Sequence, residues 1–121
     1  MFDHIVLNVT DVKLSKAFYT GALAALGMGI VVDQRGGVAF GPPGRPMFWI
    51  ARRDPVGSGT HVAFTCPDRA TVDAFHGAAT AAGGVDNGEP GVRAHYHPDY
   101  YGAFVLDPDG NNIEAVCHTA P

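Results

Sequence analysis

Three side chains carry donor chemistry at positions that repeat: His4, His61 and Glu114. Two neutral imidazoles and one carboxylate form the facial set that holds a divalent metal and leaves coordination positions open. Such a set suits Fe2+, Mn2+, Zn2+ or Ni2+, and its open positions admit a substrate oxygen, water or dioxygen. Taken singly, each residue has a plainer reading. A histidine at the start of a strand is commonly solvated or hydrogen-bonded, and a glutamate after an Asp-Gly turn is commonly at the surface.

Position is what sets the histidines apart. They lie 57 residues apart, and the chain matches itself at that spacing. His4-Ile5-Val6-Leu7 falls on His61-Val62-Ala63-Phe64, Asp11 on Asp68, Ala17-Phe18 on Ala74-Phe75, and Gly27 on Gly84, with no gap. A fixed-period self-match marks a duplicated supersecondary unit. Most matched residues are structural: helix alanines, a core phenylalanine, a helix-ending glycine. The histidines serve none of these ends. Two copies that each open with a histidine can bring both imidazoles together across a pseudo-twofold axis.

The elements that would position them follow from periodicity. His4 to Val9 reads as a strand, and Leu14, Ala17, Phe18, Ala22, Ala25 and Leu26 recur at helical spacing behind the cap Asp11. Gly29 to Gln34 and Val38 to Phe40 are short strands around Arg35-Gly36-Gly37, a hairpin signal, and Met47 to Arg52 is a fourth strand. Residues 54–60, with Pro55, Gly57, Ser58 and Gly59, are a linker. The second copy runs His61 to Cys66 as a strand, Arg69 to Ala82 as a helix behind Asp68, Gly102 to Asp107 as a strand, Pro108-Asp109-Gly110 as a turn and Asn111 to Cys117 as the last strand. Asn87-Gly88 and Pro90-Gly91 punctuate the stretch between. The expectation is an α+β fold of two βαβββ modules, 1–53 and 61–121, forming one cupped mixed sheet with two helices outside. The second module is eight residues longer, and Arg93 to Tyr101 should contain that length.

Side chains alternate across a strand. Ile5, Leu7 and Val9 should meet the helices, as should Val62, Phe64 and Cys66, and Ile113, Ala115 and Cys117. His4, His61 and Glu114 then point to the other face. Counted from the preceding turn, Trp49 holds in the first copy the place that Glu114 holds in the second, so it should line the cup.

A further polar-aromatic cluster is His95, Tyr96, His97, Tyr100 and Tyr101. His95 or His97 would serve as a general base, and Tyr100 or Tyr101 as donor to a developing oxyanion. The alternative is a tyrosine-rich loop packed over the open end of the sheet. His76 and His118 read as structural or solvated. Arg35, Arg45, Arg52, Arg53 and Arg93 are scattered along the chain and name no anion clamp.

At 121 residues this is one domain, and 46% hydrophobic residues is ordinary for a globular chain. A net charge of −4 without a basic run argues against nucleic acid, and no apolar stretch reaches membrane-spanning length. The chain enters a strand-like segment at once, with no signal peptide expected, and Cys66 and Cys117 read as buried reduced thiols. A cytoplasmic location follows as the expectation.

These residues together resemble the vicinal oxygen chelate superfamily, which includes glyoxalase I, bleomycin-resistance proteins, fosfomycin-resistance enzymes and extradiol dioxygenases. The matching pieces are His4-Ile5-Val6-Leu7-Asn8-Val9 with Asp11, Ala17-Phe18-Tyr19, His61-Val62-Ala63-Phe64, and the run from Phe104 to Glu114, FVLDPDGNNIE, which is the most specific. The resemblance implies two βαβββ modules curled around a metal whose ligands come from the first and last strands of each. It also implies a homodimer, and leaves open whether His4 meets His61 of its own chain or of another. Two positions depart from the family. Glyoxalase I needs a second carboxylate where Trp49 stands, and the dioxygenases usually carry an acid–base tyrosine where Phe104 stands. The implied activity is a metal-dependent dioxygenase, lyase or isomerase acting on a small molecule with vicinal oxygens. The alternative is a protein that binds and sequesters a drug or metabolite without chemistry.

Overall fold

Asp11 leaves the first strand with extended backbone, and its carboxylate accepts the Leu14 N–H at 3.1 Å, which starts a helix. The computed structural model describes residues 1–121. Its first module is β1 (Ile5–Asn8), α1 (Val12–Ala24), β2 (Gly29–Gln34), β3 (Gly37–Gly41) and β4 (Phe48–Ala51). The second is β5 (His61–Thr65), α2 (Arg69–Ala81), β6 (Val85–Val92), β7 (Tyr101–Leu106) and β8 (Asn112–Cys117). Asp68 caps α2 as Asp11 caps α1, accepting the Thr71 N–H at 2.8 Å and the Thr71 hydroxyl at 2.6 Å. Gly27, at φ 74°, turns the chain out of α1 in the left-handed conformation that only glycine adopts cheaply.

The duplication is visible in the sheets. Strand order is β1-β4-β3-β2 in one and β5-β8-β7-β6 in the other, with the first pair parallel in each and the rest antiparallel. The expected mixed sheet is therefore built as two four-stranded halves, and no backbone ladder joins β1 to β5. One core unites them. Phe18, Tyr19, Phe40, Phe48, Val72, Phe75, Val105 and Ile113 belong to a single cluster of 20 buried residues. Phe48 of β4 meets Phe64 of β5 edge to face at 5.4 Å between ring centroids. The alternation shows in the first strand of each module: Leu7, Val9 and Cys66 are in the core with Ile5, Val62 and Phe64 packed against it, while His4, Val6, His61, Ala63 and Thr65 are exposed. In β8, Ile113, Ala115 and Cys117 join the core, but Glu114 and Val116 on the other face are buried as well. Leu14 and Ala17 are exceptions to the helical periodicity: both are exposed, and Ser15 takes a buried position.

The extra eight residues divide between two places. Six enlarge the β6–β7 connection, residues 93–100, which replaces a two-residue β2–β3 turn; the other two lengthen β6. Asn87-Gly88 and Pro90-Gly91 do not break the chain as expected. They lie inside β6, where the ladder to β7 shifts register near Gly88 and between Gly88 and Gly91. β6 is an edge strand, and an edge tolerates a proline and bulges because one side of its ladder has no partner to satisfy.

The Asp107–Asn111 turn before β8 is a structural clasp. The buried Asp107 carboxylate accepts the backbone N–H of Asn111 at 2.8 Å and of Asp109 at 2.9 Å, together with the phenol of Tyr19 on α1. Asp109 in turn accepts the Thr10 N–H. The motif that carries the family resemblance most specifically thus pins the second module to the first helix. Burial holds the Tyr19 phenol far above its ordinary pKa, and the neighbouring Asp107 adds to the shift. Cys66 and Cys117 are buried and unpaired, and burial pushes the Cys66 thiol up to about 11. No helix is long and apolar enough to cross a membrane.

Candidate functional site

The face of the second sheet opposite the helices holds one connected group. β5 pairs with β8 so that Ala63 faces Glu114 and His61 faces Asn112. The Glu114 carboxylate is only 1% exposed, yet it lies on the cavity side of its sheet. His61 Nε2 sits 2.7 Å from Glu114 Oε1, and the Tyr100 phenol donates to Oε2. A side chain at Gly102 would meet Tyr100 Cε1 at 3.1 Å and Glu114 Oε2 at 3.2 Å, so the glycine is what lets the phenol reach the carboxylate. Burial raises the Tyr100 pKa well above the ordinary range, and the hydrogen bond to Glu114 raises it further. The phenol therefore keeps its proton at every physiological pH. His61, Tyr96, Tyr100, Phe104 and Glu114 enclose a cavity of about 270 Å3.

The first sheet presents a different wall. β1 pairs with β4 so that Val6 faces Trp49, which is the register of Ala63 on Glu114. Trp49 is thus the repeat equivalent of Glu114, as the count from the turn suggested. Its ring leans over Gly37, 3.7 Å from the point where a Cβ would stand. A cavity of about 530 Å3 runs beside it, lined among others by His4, Gln34, Arg35, Arg52 and Arg53. A third cavity of about 340 Å3 lies between the modules and is lined by His4, His61, Phe48 and Phe64.

The anticipated donors are brought together only in part. His61 and Glu114 meet. His4 lies on the corresponding face of its own module and reaches the intervening cavity, but its Nδ1 is engaged 2.6 Å from Asp3 Oδ1. No three His, Cys, Asp or Glu side chains of one chain gather as a metal-ligating group. One chain therefore offers two of the three donors, and the donor chemistry fits a divalent ion only when a third arrives.

The loop residues also sort themselves. Tyr100 enters the cavity, and Tyr101 does not: strand alternation turns it to the helix side, where it donates to Asp73 Oδ1 at 2.6 Å beneath Arg69. His95 packs at a tilt on Tyr96, 4.1 Å between ring centroids, and His97 Nδ1 accepts the Asp99 N–H at 3.1 Å. Neither histidine lines the cavity, so the expected imidazole base is not aimed at Glu114. Both readings of this segment hold in part, since Tyr96 forms a wall while Tyr100 joins the polar group. His76 pairs with Asp86 on the surface. Two contributions were missed in the sequence. Phe104, set aside as a departure from the dioxygenase pattern, packs 6.1 Å from the His61 ring. Arg35, on the β2–β3 turn, converges with Arg52 and Arg53, which directly follow Trp49's strand, on one cavity.

Two halves of identical topology, each with a histidine at its opening strand and a cavity on the face away from its helix, define a two-module βαβββ cup protein. Comparison with known proteins agrees. The family model of the Glyoxalase/Bleomycin resistance protein/Dioxygenase superfamily matches residues 1–115, and the chain belongs to that superfamily. A glyoxalase/bleomycin resistance protein from Albidiferax ferrireducens T118 is similar at 32% identity and a TM-score of 0.85, covering 97% of this chain and 98% of that one. A glyoxalase/bleomycin resistance protein/dioxygenase family enzyme from Burkholderia phytofirmans PsJN shares the fold at 18% identity and TM-score 0.74, over 97% and 98% of the two chains. A lactoylglutathione lyase from Agrobacterium tumefaciens shares it at 23% identity and TM-score 0.67, over 97% and 92%. No curated protein matches the chain.

Proposed function

We propose that this protein binds and transforms a small molecule with two neighbouring oxygens at a divalent metal held by His61 and Glu114, with His4 supplied by a second copy of the chain. One observation carries the reading: a carboxylate 1% exposed on the cavity side of its sheet, with an imidazole nitrogen 2.7 Å away. Burying a charge is costly unless donors or a cation compensate it, and such expense is commonly met at functional sites. When bound, a divalent ion there supplies Lewis-acid polarisation of substrate oxygens. The chain's own residues do the rest. Tyr100 holds a proton on its phenol oxygen against Glu114, and Tyr96 and Phe104 wall the cavity beside the half-exposed His61.

The second copy is argued from the open edges. β1 and β5 each end a sheet without a partner strand, and β1 leaves Val6 exposed. Unprotected edges are normally covered, and a symmetric dimer would cover both while completing the donor set twice. Metal analysis after loading with Fe2+, Mn2+, Zn2+ or Ni2+, beside light scattering, tests this. One ion per chain in a dimer is expected, lost on His4→Ala or His61→Ala with the fold intact. A monomer, or stoichiometric metal retained in both variants, would sink it.

A second reading has its own support. Tyr100 and His61 already satisfy both oxygens of Glu114, so the cup is also complete as a metal-free binding site that sequesters its ligand. Ligand binding undiminished by chelator, with no turnover, favours that one. On either reading glyoxalase I activity is not expected. Trp49 has no donor for a metal where that activity requires a carboxylate, and metal-loaded protein should leave the methylglyoxal–glutathione hemithioacetal unchanged.

A further inference from the structure

The arginine-lined cavity of the first module shares only His4 with the metal reading, and its arginines and Trp49 have no role there. We propose that it is an anion subsite for an aromatic carboxylate, with the ring against Trp49 and the carboxylate between Arg35 and Arg53. The proposal deepens the reading above by naming the substrate as a planar acid. It rests on that reading only for the step from binding to chemistry.

The convergence has a backbone cause. β3 runs antiparallel to β4 with Gly37 opposite Ala51, and the Arg52 N–H donates to Gly36 O at 3.1 Å. This last bond ties the tip of the β2–β3 hairpin to the end of β4. It sets Arg35 at the tip beside Arg52 and Arg53, which follow β4. Three of the chain's six arginines thus line one cavity in a chain whose net charge is −4. Arg52 is paired with Asp54 at 3.0 Å; Arg35 and Arg53 have no ion-pair partner. The only acidic side chain lining the cavity is Asp3, and it is engaged with His4.

The floor is aromatic. Trp49 is half-buried, with one edge seated over Gly37, and the rest of the ring lines the cavity. Two unpaired guanidinium groups present planar forks that match a carboxylate. An indole surface stacks a second ring. The volume of about 530 Å3 suits a small-molecule ligand rather than a lone inorganic ion, since such sites run from roughly 300 to 1,000 Å3.

Trp49 is the only tryptophan, so intrinsic emission reads this cavity directly. Titration of chelator-treated protein with benzoate should give a saturable quench. Benzamide has the same shape without the charge and should bind about tenfold more weakly or worse, the scale of a lost charge-assisted hydrogen bond. The Arg35→Gln/Arg53→Gln double variant should lose benzoate affinity by a similar factor with its circular dichroism unchanged. Arg45→Gln makes a like change of charge outside the cavity and should bind as the parent does. Equal binding of benzamide, retained affinity in the double variant, or no saturable quench at millimolar benzoate would overturn the subsite. Tighter binding of phenyl phosphate than of benzoate would overturn the carboxylate assignment. Because the titration contains no metal, failure to bind metal with the benzoate quench intact breaks only the metal reading.

Discussion

Set side by side, the two modules use one backbone frame for different work. Gly37 lies against Trp49 as Gly102 lies against Glu114, and Ala39 pairs with Trp49 as Phe104 pairs with Glu114. Counting back from those glycines, Arg35 corresponds to Tyr100. The first module thus offers His4, Trp49 and Arg35, and the second offers His61, Glu114 and Tyr100. A ring and a permanent cation stand where the other half has a carboxylate and a protonated phenol. A duplicated sheet keeps its helix-facing residues because packing demands them. Its outer face carries no such demand, so one half can keep acid–base groups while the other becomes a wall.

The comparison is broken most severely at Glu114. Glu114→Ala should lower metal affinity at least a hundredfold in equilibrium dialysis, because two neutral imidazoles without the carboxylate hold a divalent ion weakly, whereas Trp49→Ala at the equivalent place should leave metal content unchanged. Equal loss in both would erase the division of labour. Trp49→Glu tests the converse: a carboxylate installed at the repeat position should confer glyoxalase-type isomerisation that the parent lacks, read as product formation with the metal-loaded variant.

Tyr100→Phe comes next. Removing the phenol leaves Glu114 Oε2 buried without a donor, and turnover or ligand affinity should fall by about ten- to a hundredfold, in line with the roughly 1–3 kcal/mol of an unsatisfied buried acceptor. Tyr101→Phe, one residue on but facing Asp73, should change neither. If the two variants behave alike, the placement of Tyr100 in the site is wrong.

The clasp between modules gives a stability effect with a pH signature. Tyr19→Phe should cost about 1–3 kcal/mol in denaturant unfolding, since it strips a donor from the buried Asp107 carboxylate. The Tyr19 pKa is raised in the folded chain, so its contribution is whole below the ordinary tyrosine value near 10 and is lost as pH rises beyond it. Stability of the parent should therefore drop more steeply above pH 10 than that of Tyr19→Phe. Parallel curves would remove Tyr19 as the cause.

The smallest difference is between the two helix caps. Asp68 accepts a hydroxyl as well as an N–H, and the Thr71 side chain, then its backbone, hold its carboxyl below the ordinary range. Asp68→Ala should lower Tm more than Asp11→Ala near neutrality. A depressed carboxyl stabilises above its unfolded pKa and loses that effect as pH falls through its folded value, so the gap between the variants should close in acid. A gap that persists in acid would point to helix propensity instead of the cap.

Much of this design is readable along the chain. The repeat, both caps, the facing of the strands that carry His4, His61 and Glu114, and the equivalence of Trp49 with Glu114 all depend on local periodicity. Local periodicity survives without knowledge of the fold. The FVLDPDGNNIE run marked the superfamily, although in space its aspartates form a clasp with the first module and only its two end residues, Phe104 and Glu114, reach the cavity. Edge-strand tolerance hid β6 behind turn-like dipeptides, because Asn-Gly and Pro-Gly look the same in a loop and in a bulged edge. Other features depend on which strands lie side by side. Arg35 joins Arg52 and Arg53 only because β3 folds back on β4, and Tyr100 rather than Tyr101 meets Glu114 only because the β7 register puts Gly102 beneath it. His4 parts from His61 because the packing of α1 on α2 and the Tyr19–Asp107 clasp, not any strand pairing, fix how the modules meet. Those are contacts between residues far apart in the chain, and no local pattern of side chains encodes them.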